Sequence, residues 1–180
     1  MKKALIWICL ITLTGAVTAQ GNTNPPSIRD LDFLIGTWEV REDNREKGWW
    51  EESTRKGSFI LDSTYIKLSA TAVTSSGKHR TYLWLIHYNA KDQQFEMVSM
   101  FSNWHKIQFD VLSWDETKRT LTIESGGDPG SNEYHERFGE IIFNENYDIY
   151  TWKGGNKYGD KDNPSIWEYV EKGSKIENPK

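Results

Sequence analysis

Cysteine is nearly absent from this chain: the 180 residues contain one, Cys9, and it lies in the apolar stretch at the extreme N-terminus. Nothing after residue 9 can supply a disulfide, a thiolate nucleophile or a cysteine-ligated metal. Long apolar runs are equally scarce, because after Ala4–Leu13 no segment approaches the twenty or so residues a spanning helix needs. Positive charge is thin as well: 22 Lys and Arg stand against 26 Asp and Glu, and the densest basic piece is Lys78-His79-Arg80. A nucleic-acid partner is therefore not expected. Several catalytic patterns are missing too. There is no Gly-x-Ser-x-Gly elbow, no glycine loop leading to Lys-Ser or Lys-Thr, no His-Glu-x-x-His, and no calcium-loop spacing in Asp160–Asn163.

The N-terminus has the makeup of an export signal. Lys2 and Lys3 are followed by apolar Ala4–Leu13 and by the small-residue site Val17-Thr18-Ala19, which predicts cleavage before Gln20 and a secreted or periplasmic product. Losing Lys2 and Lys3 leaves 20 basic against 26 acidic residues, a net charge of −6. The remaining 161 residues suit one domain. We expect a signal over 1–19, a polar, proline-bearing linker over 20–29, a folded unit over 30–172 and a tail over 173–180.

What is abundant is strand chemistry. After Ser27-Ile28-Arg29-Asp30, which matches a helix N-cap and predicts one or two helical turns, β-branched and aromatic residues alternate between turn signals. Strands are predicted over 37–44, 49–59, 63–73, 80–88, 94–101, 104–113, 119–125, 134–143, 147–153 and 165–172. Short polar links such as Asn89-Ala90-Lys91-Asp92 and Asp115-Glu116-Thr117-Lys118 predict antiparallel neighbours. The glycine-rich segments 126–132 and 154–163 read as loops. The fold class is all-β, an antiparallel meander barrel of about eight to ten strands with a short N-terminal helix.

Gly36 and Trp38, in Leu34-Ile35-Gly36-Thr37-Trp38-Glu39-Val40, suit a sharp entry into the first strand with an indole plugging one barrel end. With the hairpin segment Leu83-Trp84-Leu85-Ile86-His87-Tyr88-Asn89 and the closing strand Ile166-Trp167-Glu168-Tyr169-Val170, this layout resembles the secreted bacterial lipocalin-like proteins of the calycin group, a family of unknown function. The resemblance spans roughly 30–172. It implies a barrel with an internal pocket, a scaffold that hosts binders more often than enzymes.

Alternation assigns candidate pocket residues. Ile66 and Leu68 share an apolar face, Met97 and Phe101 alternate together, His87 sides with Leu83 and Leu85, and His105 travels with Ile107, Phe109 and Val111. The other face of 80–88, carrying Tyr82, Trp84, Ile86 and Tyr88, then needs a cover, either the N-terminal helix or a second copy of the chain. Strand 49–59 has no apolar face beyond its start and reads as a polar wall. Arg137, if inward, anchors an anionic group or pairs with a neighbouring carboxylate. The adjacent Glu51 and Glu52 point to opposite faces and read as solvated. His87 and His105 invite a haem reading, but without ligand spacing we expect no metal and no cofactor. The expected function is binding of a small apolar or amphipathic ligand by Ile66, Leu68, His87, Met97, Phe101, His105 and Arg137. The alternatives are an acid–base enzyme of the cyclase or isomerase type, and a carbohydrate-binding surface built from tryptophan.

Overall fold

The computed structural model describes residues 26–104, 106–127 and 134–176. His105 and most of the expected 126–132 loop lie outside the described residues. The chain opens with a 3-10 helix, Ile28–Leu34, whose start is capped reciprocally: Ser27 Oγ accepts from the Arg29 N–H at 3.2 Å, and Asp30 accepts from the Ser27 N–H at 2.9 Å. Ten strands follow: β1 Gly36–Asn44, β2 Trp49–Ile60, β3 Tyr65–Thr74, β4 His79–Asn89, β5 Gln94–Phe101, β6 Gln108–Asp115, β7 Thr120–Gly127, β8 Tyr134–Phe143, β9 Ile149–Gly159 and β10 Pro164–Ile176. Each pairs antiparallel with its sequence neighbour, and β10 returns to β1, so the sheet closes on itself as a meander barrel. No helix among the described residues is long and apolar enough to cross a membrane.

Because the strands alternate in direction, the β2–β3, β4–β5, β6–β7 and β8–β9 turns gather at the end where the N-terminal helix sits. That end is sealed. Leu31 is fully buried, a Cβ on Gly57 would collide with the carbonyl oxygen of Leu34, and the Trp38 indole N–H donates to the same carbonyl at 3.3 Å. Trp38 packs against Phe143 and Tyr150, and Phe33 lies 4.7 Å from the rings of both Trp114 and Phe143. Gly36 takes the left-handed backbone, φ 123°, that swings the chain from helix into β1. Trp38 is thus buried at the helix end of the barrel.

Cross-strand register shows which residues face in, since directly paired residues share a face. Ile66 pairs with Ile86, Ile86 with Met97, and Met97 with Asp110, all of them buried. This corrects two expectations. On β4 the inward face is Tyr82, Trp84, Ile86 and Tyr88, so His87 points outward, where its ring Nε2 donates to the Glu96 carboxylate at 3.0 Å. Both faces of that strand are apolar, so composition could not choose between them. The apolar face thought to need a cover is the interior itself. On β6 the inward residues are Gln108, Asp110 and Leu112, while Ile107 and Phe109 stand 48% and 39% exposed. The reason is Arg137: a guanidinium at that height inside the barrel requires polar partners opposite it.

Three boundaries move by four residues or more, and the first is β6, which begins at Gln108 and not at 104. β9 runs through Gly154 and Gly155 to Gly159 instead of breaking at residue 153. The missing side chain at Gly154 leaves room for the Trp152 indole, whose Nε1 would lie 2.6 Å from a Cβ there. β10 continues past residue 172 to Ile176, and Gly173 makes space for the Tyr150 ring across the pair.

Candidate functional site

Below the level of Trp84 the interior is packed by Ile66, Ile86, Met97, Leu112, Leu121, Ile123 and Phe143, around a void of about 40 Å³. Above it, toward the β1–β2, β3–β4, β5–β6 and β9–β10 connections, the barrel opens into a cavity of about 420 Å³. Five tryptophans (Trp49, Trp84, Trp104, Trp152 and Trp167) line it together with Tyr82, Phe101, Tyr158 and Tyr169. Among these rings stand Glu42, Glu51, Arg55, Arg80, Gln108, His135, Arg137 and Glu171.

The charged groups are ordered in pairs. Arg55, on β2, forms a fork with Glu171 on β10, with N–O distances of 3.1 and 2.9 Å, and donates to the Tyr150 hydroxyl at 3.0 Å; that hydroxyl in turn donates to Glu171 at 2.7 Å. The Arg55 guanidinium also lies 4.7 Å over the Trp84 ring. Burial works most strongly against its charge, but Glu171, Tyr150 and Glu42 together outweigh that and hold its pKa above the usual guanidinium value. Glu51 accepts from the Tyr82 hydroxyl at 2.7 Å and from Arg80 at 3.3 Å. Burial pushes the Glu51 carboxyl up, partly offset by those donors. The expectation that Glu51 is solvated is therefore corrected: it is buried on the inner wall, while Glu52 faces out and pairs with Arg41 at 2.6 Å. The polar wall expected of 49–59 is present as Glu51, Ser53 and Arg55.

Across the cavity Arg137 points inward. It donates to Asp110 at 3.0 Å, to Gln108 at 2.8 Å and to Ser99 at 3.2 Å, and sits 5.1 Å over the Phe101 ring. Of the two roles weighed for it, the neighbouring carboxylate is the one the geometry provides. Burial raises the Asp110 carboxyl, with Arg137 acting against that.

The residues singled out from sequence thus separate into groups. Phe101 and Arg137 line the open cavity; Leu68 and Met97 line the small void beneath it; Ile66 is packed in the sealed half; His87 is on the outer surface. Sequence reasoning missed Glu42, Arg55, Arg80, Tyr82, Trp84 and Glu171. A usable signal existed. Once Ile66 and Leu68 are inward, a symmetric hairpin about Thr74–His79 requires Tyr82, Trp84 and Ile86 to be inward as well.

No protein-family model matches this sequence, and no curated protein matches it. Among solved structures the chain is similar to the S-type phycobiliprotein lyase CPES from Guillardia theta, with a TM-score of 0.55 at 8% identity over 86% of this chain and 95% of that one. A de novo designed fluorescence-activating β-barrel aligns with a TM-score of 0.45 at 12% identity, covering 81% of this chain and 95% of that one. The redesigned barrel mFAP1, bound to DFHBI, aligns with a TM-score of 0.43 at 14% identity, covering 80% and 96%. The lyase similarity shows the fold, a lipocalin-like barrel closed by ten strands.

Proposed function

We propose that the protein is an exported small-molecule binder that holds an amphipathic ligand with an aromatic body in the open half of its barrel. The observation that carries this reading is the cavity of about 420 Å³, walled by tryptophan and tyrosine and floored by ion-paired side chains. A preformed, largely aromatic cleft with a few fixed polar groups is the usual build of a small-molecule site. The charges favour an amphipathic guest over a wholly apolar one, because a purely hydrocarbon ligand would strip water from those ion pairs and return no polar contact. The N-terminal signal-like stretch supports the exported half of the reading.

The carbohydrate alternative is less well supported at the mouth. The Trp49 and Trp50 rings are approached by Arg80 at 5.5 Å and Arg41 at 4.8 Å, so their faces are already shared with guanidiniums. The acid–base alternative built on His87 loses that residue to the outer surface.

Calorimetric titration with neutral 2-naphthalenemethanol tests the reading. We expect saturable binding with a stoichiometry near one, and an affinity about tenfold lower after Trp167→Ala, the equivalent of losing part of one buried ring. A titration that never saturates, or one indifferent to Trp167, overturns it.

A further inference from the structure

We propose that the ligand of this cavity carries a cationic nitrogen, seated against Glu42 beneath a collar of aromatic rings. The proposal rests on the small-molecule reading above and names the chemistry of its ligand.

The geometry begins with register. Glu42 on β1 is directly opposite Glu51 on β2 and directly opposite Glu171 on β10, so three carboxylates stand side by side on the inner wall. Like charges directly across a strand pair repel. The outer two are compensated: Glu51 by Arg80 and Tyr82, Glu171 by Arg55 and Tyr150. Glu42 accepts no hydrogen bond from any described residue, yet it lines the cavity. The third inward guanidinium, Arg137, is committed to Asp110. Arg55, Arg80 and Arg137 are thus matched one to one with Glu171, Glu51 and Asp110, and Glu42 is the carboxylate left over.

Such a group is costly when it lacks a partner, and it relaxes when a cation arrives. One inward step toward the mouth from this row stand Trp49 on β2 and Tyr169 on β10, with Trp167 beyond and 5.7 Å from Trp49, edge to face. A carboxylate under aromatic rings is the arrangement that receives an organic cation, through charge pairing below and cation–π attraction to Tyr169 and Trp167, the Trp49 face being shared with Arg80. An anionic ligand would meet three carboxylates beside guanidiniums that already donate to Glu171, Glu51 and Asp110.

Burial, with repulsion from Glu171 and Glu51, holds the Glu42 carboxyl at about 8, despite the opposing pull of Arg55 and Arg80. The groups around it are Glu51 and Arg55 on β2, Arg80 and Tyr82 on β4, Tyr150 on β9, and Tyr169 and Glu171 on β10. A permanent cation therefore binds better as pH rises and Glu42 ionises, by about tenfold per unit below that pKa.

The test uses three naphthalene probes on the processed chain: (2-naphthylmethyl)trimethylammonium, neutral 2-naphthalenemethanol and anionic 2-naphthylacetate. At pH 8.5 the cation should bind at least about tenfold more tightly than the neutral probe, and the anion most weakly. Glu42→Gln should erase the preference for the cation and its pH dependence, so that the cation and the neutral probe bind alike; a thermal melt checks that the variant is folded. If the neutral probe binds but the cation gains nothing over it, or the preference survives Glu42→Gln, this proposal falls and the cavity reading stands. If no probe binds, both fall.

Discussion

From the N-terminal helix up to Trp84, the interior of the barrel is packed mainly by aliphatic and aromatic side chains. From Trp84 to the mouth, the inward positions hold four carboxylates and three guanidiniums among rings. Exposed apolar side chains on the outer surface do not follow this division: Phe109, Ile166 and Val170 stand out toward the mouth, and Leu61, Ile142, Ile149 and Ile176 toward the helix end. The contrast between the two halves therefore lies inside the barrel, packed at one end and charged at the other. Elementary energetics says a fold gains nothing from this: buried ion pairs seldom stabilise relative to apolar packing. The sealed half accounts for stability, and the charged half is the part that requires a ligand to make sense of it.

That division predicts unequal costs. Trp38→Ala removes the indole that seals the packed end and leaves a cavity between Phe143, Tyr150 and the helix; we expect a loss of about 3–5 kcal/mol in denaturant unfolding. A loss below about 1 kcal/mol would mean that the sealed end does not carry the fold.

In the open half the expected effect has the opposite sign. The Glu42 carboxyl is raised from 4.5 to about 8, so between those values the native state holds a proton that the unfolded chain releases. Stability contributed at this position therefore falls as pH rises from 4.5 to about 8 and is flat beyond. Glu42→Gln removes that slope: the variant should be more stable than the parent by about 2–4 kcal/mol at pH 9 and equal to it at pH 4. Glu51 and Asp110, pushed up by burial in the same way, keep their own share of the slope. Unfolding curves at the two pH values decide it, and a variant no more stable at pH 9 would show that Glu42 has a partner after all.

How far the sequence could be read follows the same division. The helix cap at Ser27, the ten strands and the burial of Trp38 are legible because local turn chemistry and apolar periodicity agree there. The inner wall of the open half is not legible, because alternation reports which face is apolar, and along β6 the apolar face is outside. Asp110 and Gln108 face inward only because Arg137, 27 and 29 residues further along the chain, needs them. That requirement appears only once the barrel has closed. Glu42 is harder still, since its isolation depends on which carboxylates Arg55 and Arg80 reach across three strands.

The smallest effect belongs to the outer face of β4. His87 sits outside, with Glu96 at 3.0 Å and the Tyr65 ring at 5.2 Å, and both members of the ion pair are about one-third exposed. Glu96 is also held by Asn89 at 2.7 Å and Gln94 at 3.2 Å, and the Asn89 bond leads in keeping its carboxyl below the ordinary value. Removing the imidazole therefore strands no buried charge. His87→Ala should cost less than about 1 kcal/mol, as exposed pairs do, and should leave 2-naphthalenemethanol binding unchanged. Trp167→Ala is the counterpart, because Trp167 lines the open cavity whereas His87 stands on the outer face of β4 opposite Tyr65. A tenfold loss of affinity in His87→Ala would place His87 inside, turn Trp84 and Ile86 outward, and break the register on which the cavity is built.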